Sequence, residues 1–288
     1  MTRARFRVVA TDLDGTLLRS DRTVSTRTRA ALALAVEAGA RHLVVTGRSA
    51  ASCRPVLTAI GYQGLAVCGQ GAQLYDATAD RILTSAALDR GLARSVVDRT
   101  QEALGGVRLE LAVVTAAPVN RFVVTPDFAD AARPGWGTVR HRDELWAEPI
   151  EKVLLRHREL PDEVVAATAR RIGGAEVSVT HSEKGLVEVL PAGTTKASGL
   201  QKAAERLGFG PSETVAFGDM PNDIPLLTWA GYGVAMGNAH PDLRDVAHEV
   251  APCNDEDGVA VVLERLFAGR DGGVAVPDAV VAPRTLAG

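Results

Sequence analysis

The sequence predicts an α/β fold, in which a second, α+β domain is inserted into a parallel-sheet core. Three observations support this prediction. Short apolar segments alternate with helical segments at the start of the chain, closely spaced strand-like segments replace them after about residue 80, and the alternation returns after about residue 196. Alternating strands and helices are typical of parallel sheets with crossover helices, and a run of close strands indicates a separate unit.

The first part of the chain follows a strand–helix rhythm. Ser25 or Thr26 can cap its first helix, and Gly39 can end that helix. Gly47 begins the turn into the next helix. In chain order we predict a strand at 6–12, a helix at 25–39, a strand at 41–46, a helix up to about residue 60, and a strand at 65–68.

The middle third has a different pattern, and we predict strands at 107–114, 121–125, 153–158, 176–180 and 186–190, with a helix at 161–173. Helix 196–208 and the buried strands 214–218 and 232–235 then return to the core pattern. We therefore assign residues 1–83 and 188–269 to the core, 84–187 to the inserted domain, and 270–288 to a weakly ordered tail without periodicity.

Composition excludes several classes of protein. The chain has 288 residues and a net charge of −3, whereas nucleic-acid-binding proteins usually carry a basic face. No stretch approaches the ~18 apolar residues of a membrane span. The three cysteines are far apart, which fits no disulfide framework and favours a reducing cytoplasm. Lysine and asparagine are scarce, and they occur only at Lys152, Lys184, Lys196, Lys202, Asn120, Asn222, Asn238 and Asn254.

The strongest motif is DLDGTLL at residues 12–18, directly after the first predicted strand. Ligands of open α/β sheets bind at the carboxyl edge of the strands, where Asp12 and Asp14 would lie. Two carboxylates at this spacing suit a nucleophile with an acid/base partner, or a site for a hard divalent cation. Gly15 allows a sharp turn. The alternative is an acidic surface turn.

A second acidic motif, GDMPND at residues 218–223, follows another buried strand. Asp12, Asp14 and Asp219 together would carry too much negative charge without a cation, and their oxygen ligands favour Mg²⁺. The alternative, that Asn222 or Asp223 caps the next helix, explains only one residue of this cluster.

Two further features of the sequence favour the binding of an anion. Thr46-Gly47-Arg48 ends the second predicted strand at a helix N-terminus, where a hydroxyl and a backbone N–H favour phosphate, although Thr is also a routine N-cap. Lys196 lies where the chain returns from the inserted domain. A lysine is usually a surface charge, but lysine is rare in this chain.

These four motifs resemble those of the haloacid dehalogenase-like phosphohydrolases, specifically the Cof-like type with a large α/β cap. DLDGTLL is similar to the first motif, VVTGR to the second, Lys196 to the third, and GDMPNDIPLL to the fourth. The resemblance implies a Rossmann-like parallel-sheet core with an inserted α+β cap domain. The cap would close over the site and contact the leaving group.

The resemblance also implies a role for each motif residue. Asp12 would attack phosphorus and form an aspartyl-phosphate, and Asp14 would act as general acid and then as base. Mg²⁺ would be held by the Asp12 side chain, the Asp14 backbone carbonyl and Asp219. The groups implied to bind the phosphoryl oxygens or to support them are Leu13, Thr46, Gly47, Lys196 and Asn222, with Asp223 and Arg48 behind them.

The chain departs from the family pattern at residues 69–72, where Gly-Gln-Gly-Ala stands in place of a common Asn-Gly-Ala. Because this segment would face the substrate, we expect a difference in specificity. Candidate substrate contacts in or near the cap are Arg121, His181, Lys184 and Glu188. Each of these four can also be interpreted as a surface charge.

We therefore predict a cytoplasmic Mg²⁺-dependent phosphatase that acts on a small phosphorylated metabolite, such as a sugar phosphate. We expect a monomer or homodimer, with neither nucleic acid nor membrane as a partner. One alternative is a phosphomutase of the same architecture. Another is a non-catalytic module that binds a phosphate ligand, although Asp12 and Asp14 are both present. The complete acidic cluster argues against a purely structural protein.

Overall fold

The structure is a computed structural model that describes residues 6–118, 120–129, 131–132, 135–183 and 185–268. Its strands are β1 (Val8–Thr11), β2 (Arg41–Val45), β3 (Leu65–Cys68), β4 (Gln73–Asp76), β5 (Arg81–Ser85), β6 (Glu110–Thr115), β7 (Phe122–Val124), β8 (Gly137–Thr138), β9 (Ile150–Arg156), β10 (Val177–Glu183), β11 (Leu186–Pro191), β12 (Thr214–Gly218), β13 (Tyr232–Ala235) and β14 (Glu249–Val250). Its α-helices are α1 (Thr26–Glu37), α2 (Ala50–Ala59), α3 (Arg90–Ala103), α4 (Asp162–Gly173), α5 (Lys196–Leu207), α6 (Ile224–Trp229), α7 (Pro241–Val246) and α8 (Gly258–Phe267).

The described chain divides into two compact units. The first contains residues 6–44, 207–219 and 223–268. The second contains the described residues between 45 and 206, together with 220–222. The boundaries proposed above for the core and the inserted domain stay a prediction, and the predicted tail at 270–288 lies outside the described residues.

The first unit is built on parallel strands in the order β14-β13-β12-β1-β2. Every residue of β1 and β12 is buried, as expected for parallel strands with helices on both faces. Helices α1 and α8 pack together over Val9, Val215 and Phe217. The carboxyl ends of β1 and β12 lead directly into Asp12 and Asp219, so the sheet brings both acidic motifs to one edge.

The second unit contains a six-stranded sheet in the order β10-β11-β9-β6-β7-β8, which is antiparallel except for the β7–β8 pair. Helices α3 and α4 cover one face, where Val153 and Val189 join the apolar core. Because side chains alternate along a strand, Lys152 and Glu188 lie on the opposite face. The predicted combination of a parallel α/β sheet with an α+β sheet is confirmed.

Some elements of the second unit were not predicted from the sequence. Strands β4 and β5 extend β3 as an antiparallel meander. Helix α3 was also missed, although it buries Ala93, Val96, Val97 and Thr100. These positions follow the i, i+3, i+4, i+7 spacing of an amphipathic helix, so the sequence does carry a signal for α3.

The β1–β2 pair also contains a histidine that should make stability depend on pH. The His42 ring lies 2.8 Å from the Thr11 hydroxyl, and burial lowers the pKa of His42 to about 4. The unfolded chain therefore binds the proton more readily, so the stability is complete above about pH 6.5 and declines toward pH 4. Because His42 as a whole residue is only partly buried, we expect a loss of up to about 2 kcal/mol.

Chemical denaturation at several pH values tests this expectation. The free energy of unfolding of His42→Gln should fall less between pH 6.5 and 4 than that of the wild type. His141→Gln, which removes an exposed histidine, serves as the control. Equal slopes in the wild type and His42→Gln would contradict the assignment.

Candidate active site

The turn after β1 holds Asp12 and Asp14 in different environments. The Asp12 N–H donates to the carbonyl oxygen of Phe217 at 3.1 Å, which ties this residue to β12. A wide turn follows, in which the Leu18 N–H donates to the Leu13 carbonyl at 2.8 Å. The Asp12 carboxylate is buried, whereas Asp14 is exposed to solvent.

Two residues of the same turn, Gly15 and Thr16, lie against the Asp219 carboxylate. The Thr16 hydroxyl donates to Asp219 Oδ1 at 3.0 Å, and Thr16 itself is buried. A Cβ atom at Gly15 would lie 2.2 Å from Asp219 Oδ2, and φ of Gly15 is +74°. Only glycine satisfies both conditions. Asn238 also supports the turn, because its Nδ2 donates to the Gly15 carbonyl at 2.8 Å.

Three buried carboxylates meet at this edge of the sheet. One oxygen from each of Asp12, Asp219 and Asp223 lies within 4.8 Å of the other two. Asp223 Oδ2 also accepts from the Asp219 N–H at 3.2 Å, so the GDMPND turn folds back on itself. Buried carboxylates this close repel one another strongly, and their oxygens are the ligands that hard divalent cations prefer. The donor set therefore fits a metal ion.

The predicted site residues of the first unit are thus placed around this carboxylate cluster. Asp223 contributes an oxygen to it, although the sequence assigned Asp223 only a supporting role. Asp14 does not contribute its carboxylate to the cluster of the described residues. The resemblance assigns the Asp14 backbone carbonyl to the metal, whereas the charge argument from the motifs also counted the Asp14 carboxylate, which lies outside this cluster. Asp223 precedes α6, but its side chain forms no capping hydrogen bond there.

In the second unit, the turn after β2 presents the residues predicted to bind an anion. Thr46 is buried, and its hydroxyl oxygen accepts from the Arg48 N–H at 3.2 Å. The N-cap of α2 is Ser49, whose side chain accepts from the Ser52 N–H, so Thr46 is not the N-cap. A Cβ atom at Gly47 would lie 2.5 Å from Gln70 Nε2, so a larger residue would press on Gln70.

Lys196 begins α5 and is only 1% exposed. Its interpretation as a surface charge is therefore wrong. Burying an ammonium group is unfavourable unless anionic or polar groups surround it, so a fully buried lysine at a helix start is typical of a functional or paired charge.

The candidate substrate contacts differ in their environments. Arg121 is exposed and forms an ion pair with Glu148, which agrees with the surface-charge interpretation. Glu188 is buried and lies 2.6 Å from the ammonium of Lys152. His181 is partly buried on β10. Lys184 lies outside the described residues.

The structure adds buried polar residues that sequence reasoning missed. Glu151 is fully buried; burial is the main cause that raises its pKa, to about 7. Asn120 donates to Glu151 Oε2 at 2.9 Å, while Glu151 Oε1 has no hydrogen-bond partner in the part of the chain that the structure describes. Gln70 and Lys152 are also buried. The scarcity of lysine pointed to Lys196 and could equally have pointed to Lys152.

Comparison with known proteins connects this geometry to a family. The family model for haloacid dehalogenase-like hydrolases matches residues 9–263. The pyridoxal phosphate phosphatase YbhA of Escherichia coli is 30% identical over 263 residues, which cover 88% of this chain and 96% of that protein. The 5-amino-6-(5-phospho-D-ribitylamino)uracil phosphatase YwtE of Bacillus subtilis is 27% identical over 92% of this chain and 99% of its own length.

A solved structure supports the fold. A haloacid dehalogenase-like hydrolase from B. subtilis superposes with a TM-score of 0.78, at 24% identity, over 91% of this chain and 100% of that chain. In the part of the chain that the structure describes, no helix is long and apolar enough to cross a membrane.

Proposed function

Because this chain belongs to the haloacid dehalogenase-like hydrolase family and is a phosphoric monoester hydrolase of the Cof-like type, we propose that it uses Mg²⁺ and an aspartyl-phosphate intermediate. Its substrate is a small phosphorylated metabolite, a sugar phosphate or a similar phosphomonoester. The buried cluster of Asp12, Asp219 and Asp223 is the observation that supports the proposal most strongly. The family resemblance stated from the motifs is confirmed by the matching family model.

The metal would be held by the Asp12 carboxylate, the Asp14 backbone carbonyl and Asp219. Asp223 supports this set from the same cluster. When bound, Mg²⁺ neutralises the carboxylates and stabilises the negative charge on the phosphoryl oxygens. The oxygen-only donor set and its burial support this assignment.

Asp12 is the nucleophile in this mechanism. One of its carboxylate oxygens forms a bond to phosphorus as the bond from phosphorus to the leaving oxygen breaks, and Asp14 donates its proton to that oxygen. Asp14 then removes a proton from water, the water oxygen bonds to phosphorus, and the bond from phosphorus to Asp12 breaks. The fixed, buried Asp12 suits attack, and the exposed Asp14 can exchange protons with solvent.

The phosphoryl oxygens are bound by neutral and cationic donors. These donors are the Leu13 and Gly47 N–H groups, the Thr46 hydroxyl, the Lys196 ammonium and the Asn222 amide, with Arg48 behind the Thr46 turn. Phosphoryl transfer depends mainly on positioning and on stabilising this charge. The burial of Thr46 and Lys196 supports the assignment, since hydrogen bonds are stronger away from water.

Residues 84–187 are proposed to act as the cap that selects the leaving group. They include most of the six-stranded sheet with its two helices. Arg121, His181, Lys184 and Glu188 stay candidate contacts. The protein is proposed to work in the cytoplasm as a monomer or homodimer, and its three free thiols are compatible with a reducing compartment.

A screen of phosphorylated metabolites tests the proposed function. Purified protein with Mg²⁺ should release inorganic phosphate from an aryl phosphate and, faster, from one class of metabolite phosphates. Interconversion of isomers without net phosphate release would instead indicate a phosphomutase. Binding without turnover of any compound would indicate a non-catalytic module, and either result would contradict the proposal.

A further inference from the structure

A buried chain of hydrogen bonds connects two of the groups proposed to bind phosphate. Lys152 Nζ donates to the Gly47 carbonyl at 2.9 Å and to Glu188 Oε2 at 2.6 Å. Gln70 Nε2 donates to Glu188 Oε1 at 2.9 Å, and Asn222 Nδ2 donates to Gln70 Oε1 at 3.0 Å. Each of the four side chains that form these hydrogen bonds is at most 6% exposed. Strands β9 and β11 thus supply a lysine–glutamate pair that reaches the turn after β2.

The carboxylate fixes the direction of every hydrogen bond at this end. An ionised carboxylate only accepts, so Gln70 must direct its amide nitrogen toward Glu188. Its amide oxygen then faces Asn222, so Asn222 must direct its amide nitrogen toward Gln70. Asn222 Oδ1 is buried and has no hydrogen-bond partner among the described residues. The orientation of the Asn222 amide is therefore set by Glu188, two hydrogen bonds away.

At the other end, the peptide between Gly47 and Arg48 is held on both sides. Its carbonyl accepts from Lys152, and its N–H donates to the Thr46 hydroxyl oxygen at 3.2 Å. A hydroxyl has one hydrogen to donate. Since the oxygen of Thr46 is accepting here, its hydrogen is left for a different acceptor, which under the proposed function is a phosphoryl oxygen.

The backbone at Gln70 indicates that this side chain has a specific role. Its φ is +59°, a left-handed conformation that is uncommon for a residue other than glycine and that clusters at active sites and ligand contacts. The glycines on both sides also have positive φ. A Cβ atom at Gly71 would lie 2.0 Å from the Thr195 carbonyl, so this loop packs directly against the residue before Lys196.

We propose that Lys152, Glu188 and Gln70 are positioning residues for phosphoryl binding. They orient the Thr46–Gly47 turn from one side and the Asn222 amide from the other. This inference rests on the proposed function, because those two groups are its phosphate donors. It also explains why a charged pair is buried on the sheet face opposite α3 and α4, where apolar residues would be easier to bury.

The test separates positioning from a purely structural ion pair. Removing Lys152 alone would leave Glu188 buried and unpaired, which can prevent folding. The double variant Lys152→Met/Glu188→Gln removes both charges, so its melting temperature should stay near that of the wild type. Its kcat/KM should fall by roughly 10- to 100-fold, through a higher KM as well as a lower kcat, because the donors shift relative to the phosphoryl group in both the bound substrate and the transition state. Lys202→Met, at an exposed lysine, is the control and should behave as wild type.

Two further measurements keep the test decisive. Gln70→Asn tolerates the same backbone conformation but is one methylene too short to bridge Glu188 and Asn222, and it should lower kcat/KM without changing any charge. Calorimetry with inorganic phosphate and Mg²⁺ should show at least about tenfold weaker binding in both variants.

The outcomes for the two proposals can be told apart. If both variants fold and keep wild-type kcat/KM and phosphate affinity, the positioning inference is wrong, whatever the substrate. If the wild type turns over no phosphorylated compound, the proposed function fails. In that case, the affinities of the wild type and the two variants for inorganic phosphate still show whether these hydrogen bonds orient an anion site.

Discussion

Asp12→Asn is expected to reduce phosphate release by at least about a thousandfold, because an amide cannot serve as the nucleophile. The change keeps the size of the side chain, so the β1 turn should persist. Rates should be measured with saturating Mg²⁺ and the best substrate from the metabolite screen. Asp245→Asn, at an exposed position of α7, provides a control of the same chemical type.

The same substitution should make the metal-free protein more stable. Asp12, Asp219 and Asp223 are buried with oxygens within 4.8 Å of one another, so removing one charge relieves repulsion. Two unit charges ~5 Å apart at an effective dielectric of ~20 interact by a few kcal/mol, which sets the scale of the gain. Thermal unfolding in EDTA measures it. If Asp12→Asn keeps wild-type turnover, Asp12 is not the nucleophile. If its melting temperature in EDTA equals that of the wild type, the three carboxylates do not repel one another as expected.

Loss of the metal should have the second-largest effect. Chelation with EDTA is expected to stop phosphate release, and added Mg²⁺ should restore it. Asp219→Asn should need far more Mg²⁺ for half-maximal activity and should lose at least about a hundredfold in kcat/KM, since it removes a charged ligand. Thr16 can still donate to the remaining carbonyl oxygen, so the fold should be kept.

Titration of activity against Mg²⁺ concentration distinguishes this prediction from a general loss of stability. Asp245→Asn should titrate as the wild type does. Full activity in EDTA, or an unchanged Mg²⁺ requirement in Asp219→Asn, would show that the carboxylate cluster does not serve as a metal site. The two variants are complementary, because Asp12→Asn should remain inactive at any Mg²⁺ concentration.

The sequence by itself determined where the acidic motifs lie on the fold. β1 and β12 are uninterrupted apolar segments, which is how strands buried on both faces appear in sequence. Each segment is followed at once by an aspartate, and parallel strands end at one edge. Local periodicity and the order of elements were therefore enough to place Asp12 and Asp219 together. The scarcity of lysine and asparagine singled out Lys196 and Asn222, which are both buried.

Only the tertiary structure decided which other polar residues are buried. Glu188 lies between two valines and Lys152 lies between Glu151 and Val153. Charged residues placed in this way along a strand usually face solvent. Their pairing depends on the β9–β11 register, and their burial depends on what covers that face of the sheet. Gln70 likewise gives no sequence signal of its left-handed backbone. Burial and hydrogen-bond partners are properties of contacts between distant segments, and the short-range patterns of a single sequence do not encode them.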